Sequence, residues 1–283
     1  MNHDHHVSFE LLGIVVTVKC AHESCCEQVS AFFSGHSVTP VNTETPDLVV
    51  YLEWAEFGRY LYRERPKKEN GQHLDGVYFM LRGDSKPQPW RSIYPPLVPY
   101  HLSQNEGRFV AIHAASIALP KDRCILLPGD RGAGKTSSSL HLCTKRGGTL
   151  VTDEIAFLYV RSRVVVPVLL AMGVMESSST AKVATPAADL CPTLATTARE
   201  VTDIVFLEKG AEQEAKVWSP EDSFRRIMTH VVDVGATSDD TVTTLARLTR
   251  STPCCSVTWN DFASLPRLLD QAINGDANSD GKD

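Results

Sequence analysis

The run from Cys124 to Phe157 constrains this chain more than any other: CILLPGDRGAGKTSSSLHLCTKRGGTLVTDEIAF. Gly129, Gly134, Lys135 and Thr136 complete the P-loop pattern G-x-x-x-x-G-K-[ST]. An apolar run the length of a buried strand, Ile125-Leu126-Leu127, precedes it. A helix-like segment from Thr136 to Lys145 follows and stops at Gly147-Gly148. A second strand, Thr149 to Thr152, ends on Asp153-Glu154. Strand, loop, helix, strand and acid in that order predict an α/β core built around a bound polyphosphate.

Each residue type has a physical task. Glycines at 129, 132 and 134 let the backbone turn tightly and approach a polyphosphate with no Cβ in the way. The N–H groups of the loop and first helical turn then face the anion. The predicted cradle is Gly129, Asp130, Arg131, Gly132, Ala133, Gly134, Lys135, Thr136 and Ser137. Lys135 brings a positive charge to the outer phosphates, and Thr136 offers a hydroxyl to Mg²⁺. Asp153 and Glu154, at the tip of the next strand, supply hard oxygen ligands or a base beside that metal.

The longer run IHAASIALPKDRCILLPGDRGAGKTSSSLHLCTKRGGTLVTDE resembles the catalytic core of the HPr serine kinase/phosphorylase family. It is more similar still to HPr-kinase-related proteins of peptide-modification gene clusters. The pieces that match are His113-Ala114-Ala115, the glycine loop, Arg146-Gly147 and Asp153-Glu154. The resemblance implies an α/β fold (α+β overall) with an HPr-kinase/PEP-carboxykinase-like P-loop core. It implies ATP in the loop and Mg²⁺ held at Thr136, Asp153 and Glu154. Asp153 then acts as base toward a serine-type hydroxyl of a peptide or small molecule, and His113 stands near the phosphates. Without the resemblance, His113 reads as a core histidine on a long strand from Phe109 to Leu119, which the Lys121-Asp122 turn would set beside the P-loop strand in one sheet. HPr kinases carry a glycine- and arginine-containing signature downstream of the acidic pair. Here the corresponding stretch, Leu169 to Met175, has no arginine, which argues against HPr itself as the acceptor.

Composition excludes some alternatives. The formal net charge of -6 argues against broad nucleic-acid binding, which requires neutralising many phosphates. No apolar run reaches the roughly 18 residues of a membrane span, and Met1 to His6 is polar, with no signal-peptide core. The 8 cysteines include no Cys-x-x-Cys pair; Cys25-Cys26 and Cys254-Cys255 are vicinal, and several others sit in apolar runs. That pattern predicts buried thiols in a reducing cytoplasm.

Three domains are expected: an α+β accessory domain over 1–99, a kinase core over 100–273 and a disordered tail over 274–283. The first opens with a strand from Phe9 to Lys19 and a helix from Cys26 to Phe33, followed by strands at 48–54, 58–65 and 77–82. Tyr60 and Tyr62 alternate with basic residues on one of these, which fits a half-exposed strand better than base stacking. Five prolines between Asp84 and Pro99 mark a linker. In the core, strands at 155–160 and 164–169 suggest a ribbon over the nucleotide. The segment Glu176–Pro192, rich in Ser, Thr and Ala, reads as a loop or a substrate lid. Ser219, Pro220 and two acids open a helix running to about Val232, with Arg225 and Arg226 on it. A solvated face is the preferred reading for these arginines; contact with the γ-phosphate is the alternative. The terminal DANSDG run matches half a calcium loop, without the glutamate that would close it.

Three functions stay open on the sequence: a kinase, a nucleotide-binding regulatory protein, and an NTPase coupled to a partner. The kinase is preferred. The sequence gives no oligomeric state, and a homo-oligomer is compatible with it.

Overall fold

A computed structural model describes residues 5–20, 23–33, 48–55, 59–63, 79–80, 108–175, 182–232 and 239–274. The chain divides into one unit of residues 1–104 with 184–186 and another of 105–183 with 187–283. It is a mixed α/β protein. The predicted linker at 84–99, the tail beyond 274 and residues 176–181 of the predicted lid lie outside the described residues.

In the first unit, strands β1 (His5–Leu11), β2 (Ile14–Cys20), β3 (Leu48–Ala55), β4 (Arg59–Arg63) and β5 (Phe79–Met80) form one sheet in that order. Helix α1 (Glu23–Phe32) joins β2 to the parallel strand β3. The single strand expected over Phe9–Lys19 is instead a hairpin. Leu12 and Gly13 both take positive φ, 54° and 84°, and set Leu11 opposite Ile14. Two consecutive left-handed residues match the twist of a two-residue turn. The leucine hides that turn, because a left-handed Leu is sterically unusual. Phe9 stacks on Phe33 with centroids 3.9 Å apart, so the hairpin and the helix end share one apolar cluster.

The second unit centres on a six-stranded sheet. Its strands, in spatial order, are β16 (Glu214–Val217), β17 (Cys254–Trp259), β15 (Asp203–Lys209), β8 (Arg123–Pro128), β7 (Ala114–Leu119) and β9 (Thr149–Thr152). β17, β15 and β8 run parallel. Parallel strands are covered on both faces, which is why β8 reads as an unbroken apolar run. Ile125 and Leu127 face a cluster with Leu142 of α2 (Lys135–Lys145) and with Leu268 and Leu269 of α6 (Leu265–Asn274). Cys124 and Leu126 face the other cluster, with Ile227 of α4 (Pro220–Met228) and Leu245 and Leu248 of α5 (Asp239–Ser251). Two-sided burial also explains the cysteines. Burial pushes the Cys124 thiol up to about 11 against its ordinary 9.0, although the Ser116 hydroxyl opposes the shift. Its contribution to stability is therefore intact below pH 9 and lost as pH rises toward 11. At pH 8, iodoacetamide is expected to label native Cys124 on the order of a hundredfold more slowly than in denaturant. Equal rates would show that the thiol is accessible.

Two expected features take another form. The strand over Phe109–Leu119 breaks at His113 into β6 (Phe109–Ile112) and β7, and the two halves join different sheets. His113 donates its backbone N–H to the carbonyl of His230 at 2.7 Å, so the break has its own partner. It therefore sits between the sheets, not on a strand beside β8. Strands β10 (Ala156–Tyr159) and β11 (Val164–Val166) pair with β6 and with β14 (Arg199–Glu200) in a four-stranded sheet. Leu158 and Val165 are fully buried in the core, so this pair is a packed layer rather than a ribbon over the loop. Strand β12 (Met172–Met175) precedes the predicted lid. Within the lid, residues after 181 form strand β13 (Lys182–Thr185) and a helical turn, α3 (Ala187–Leu190).

Candidate functional site

The glycine loop leaves the C-terminal end of β8, the end at which open parallel sheets place ligands. Gly129 bridges to Leu207 of β15, and a Cβ there would come within 2.9 Å of Ala133 Cβ and 3.0 Å of the Leu207 carbonyl oxygen. The loop then turns, with Ala133 N–H on the Asp130 carbonyl at 3.0 Å. Gly132 and Gly134 have φ of 87° and 97°. Gly134 caps α2 with no side-chain hydrogen bond, so an anion can take the orphan N–H groups of the first turn. The helix ends at a left-handed Gly147, and Gly148 N–H reaches the Leu142 carbonyl at 3.0 Å.

Gly134 is also wedged. A Cβ there would lie 2.8 Å from Leu265 Cδ2 and 3.4 Å from the Trp259 ring. Gly134→Ala is expected to lower stability by roughly 1–3 kcal/mol through the left-handed backbone alone, and by more through the clash. Urea unfolding measures it; an unchanged midpoint would show that the loop can relax.

Lys135 is buried, with its ammonium donating to the carbonyls of Gly129 at 2.7 Å and Asp130 at 3.1 Å. Thr136 donates its hydroxyl to Asp153 Oδ2 at 2.8 Å. That bond brings the loop and the acidic end of β9, 17 residues apart, into one site. The other oxygen of Asp153, Oδ1, is buried and has no hydrogen-bond partner among the described residues. Burial raises the Asp153 carboxyl above the usual carboxylate range; the Thr136 and Ser139 hydroxyls and Lys135 oppose that, and Glu154 adds to it. An unpartnered carboxylate oxygen beside a threonine hydroxyl is a donor set that fits a hard divalent cation.

Glu154 is exposed, and its Oε1 lies 3.7 Å from His113 Nε2. His113 thus stands at the acidic rim, facing Glu154. Ser137 is exposed on the first turn of α2. Asp130 and Arg131 line a cleft of about 810 Å³ on the β15 side of the loop.

Three further residues at the site carry no motif. Trp259, at the end of β17, donates its indole N–H to the Ala133 carbonyl at 2.8 Å. His230 follows α4 and points Nδ1 at Asp130 Oδ1, 3.7 Å away. Its pKa is lowered, first by burial, which Asp130 opposes; His113, Lys135 and Arg226 repel a proton there. Arg226 lies over the rings of Trp218 at 4.2 Å and Phe206 at 5.2 Å and pairs with Glu208. The helix start is as expected, with Ser219 Oγ accepting from Asp222 N–H. The solvated face holds for Arg225, whose side chain is 80% exposed, but not for Arg226, at 22%. The helix stops at Met228, and that lets the chain turn and bring His230 back to the loop.

No family model and no curated protein sequence matches this chain. Among solved structures, the HPr(Ser) kinase/phosphatase from Coxiella burnetii aligns over 59% of this chain and 95% of its own, at 13% identity and a TM-score of 0.30. A superposition that loose assigns neither a substrate nor a reaction.

Proposed function

We propose that this protein is an ATP-dependent kinase with an HPr-kinase-like P-loop core, transferring the γ-phosphoryl group to a serine-type hydroxyl on a peptide or small molecule. The observation that carries the proposal is the Thr136–Asp153 hydrogen bond, with Asp153 Oδ1 left unpartnered beside it. Loop and helix N–H groups hold the phosphates of ATP, and Lys135 neutralises the outer pair. Thr136 and Asp153 are the residues that would hold Mg²⁺, with Glu154 at the rim; the ion would supply positive charge beside the phosphates.

The transfer forms a bond between the acceptor oxygen and γ-phosphorus and breaks the bond from γ-phosphorus to the β–γ bridging oxygen. ADP departs with that oxygen, and the hydroxyl proton passes to the Asp153 carboxylate. Positioning and charge neutralisation do the rest.

The test is γ-³²P-ATP with Mg²⁺ and a panel of serine-containing peptides and small alcohols, free serine included. Label on an acceptor is the expected result. Phosphate release without a labelled acceptor would favour the coupled NTPase, and nucleotide binding with neither would favour the regulatory protein.

A further inference from the structure

The cleft beside the glycine loop gathers more cationic side chains than the loop motif itself supplies. Four cationic residues line it, Arg131, Lys209, Arg225 and Arg226, against two carboxylates, Asp130 and Glu208. They converge in a chain whose formal net charge is -6, so overall composition does not account for them. The dipole of α4 accounts for basic residues in its last turn, where Arg225 and Arg226 stand. It does not account for the setting of Arg226. That guanidinium lies over two rings, is bound on one side by Glu208, and has its Nε buried without a partner among the described residues. Burial lowers its pKa, as expected of a cation held in part away from water. An arginine so fixed is preorganised for a second anion, because its planar fork is already oriented.

The position of the cleft adds to this. One wall is the phosphate loop from Asp130 to Ala133, and another is the end of α4 with Thr229 and His230. The His230 carbonyl accepts from His113 N–H, and His113 faces Glu154, the neighbour of Asp153. The cationic cleft and the proposed base therefore border the same loop.

Resting on the kinase reading, we infer that the acceptor is an anionic alcohol, whose carboxylate or phosphate is held in this cleft by Arg226, Arg225 and Lys209 while its hydroxyl faces Asp153. Glu208 holds Arg226 in place until the anion arrives and competes with it afterwards.

The test is calorimetric titration of the full-length chain, saturated with Mg²⁺ and a non-hydrolysable ATP analogue. The probes are three alcohols of one carbon skeleton: glycerol, glycerate and glycerol 3-phosphate. At least one anionic probe is expected to bind about tenfold tighter than glycerol, and the better of the two identifies carboxylate or phosphate as the group read. Arg226→Gln is expected to weaken that binding about tenfold, and the exposed Arg225→Gln about threefold without risk to the fold. Glu208→Gln is expected to tighten it, a sign that a purely structural ion pair would not give. The inference is overturned if neither anion binds better than glycerol, if the arginine variants bind as the parent does, or if the anions bind only when the analogue is omitted, which would place them in the loop. Transfer confined to neutral alcohols would overturn it and leave the kinase standing. Anion binding without any transfer would leave the cleft standing and remove the kinase.

Discussion

Asp153→Asn is expected to lower phosphoryl transfer by about 10²- to 10⁴-fold, the usual range for a positioned general base. The side chain keeps its shape and can still accept the Thr136 hydroxyl that now reaches Oδ2 at 2.8 Å. It loses the negative charge and, with it, the ability to take a proton. Nucleotide affinity without metal should therefore hold, because the loop N–H groups are untouched, while Mg²⁺-dependent transfer collapses. Single-turnover transfer measured beside equilibrium binding of ATP in EDTA separates the two. Retained turnover would sink the assignment of Asp153 as base.

Lys135→Ala is expected to lower the rate on the order of a hundred- to a thousandfold, as when one charge-stabilising donor is removed. The ammonium here does a second task, since it ties the carbonyls of Gly129 and Asp130 together. Without it the buried Gly129 carbonyl loses a partner, at a cost of about 1–3 kcal/mol. Lys135→Arg keeps the charge but brings a larger, planar head, so it should recover less activity than charge alone would suggest. If Lys135→Ala turned over like the parent, the phosphates would have to lie outside the loop.

Much of this site is legible in the chain because it is local. The loop pattern, the helix after it and the acidic strand end fall within a few dozen residues, each with its own signal: glycine, helical spacing, a stop, an apolar run. Ser219-Pro220 announced a helix start in the same way, through the chemistry of capping. What escaped depends on distant partners. Trp259 meets Ala133 across 126 residues, and nothing around Trp259 marks it as anything but the end of a buried strand. Arg226 looked solvated because helical periodicity cannot show that Trp218 and Phe206 would lie under its guanidinium. The apolar flanks of His113 predict a continuous strand through it. The chain changes sheets there, and the one titratable residue in that run is the available hint.

The indole of Trp259 on the Ala133 carbonyl, with Leu265 packed over Gly134, means that the nucleotide cradle is a composite part. Half of it is the glycine motif; the other half is a late strand and the helix that follows. A ribosome will have made the motif long before it makes the piece that grips it, so a nascent chain ending before Trp259 has the letters of a nucleotide site without its frame. The same holds for a cut between Trp259 and Leu265 in the finished protein. On the kinase reading, nucleotide binding would in that sense be a property acquired last, and an intact glycine motif in a shortened variant would be no guide to its affinity for ATP.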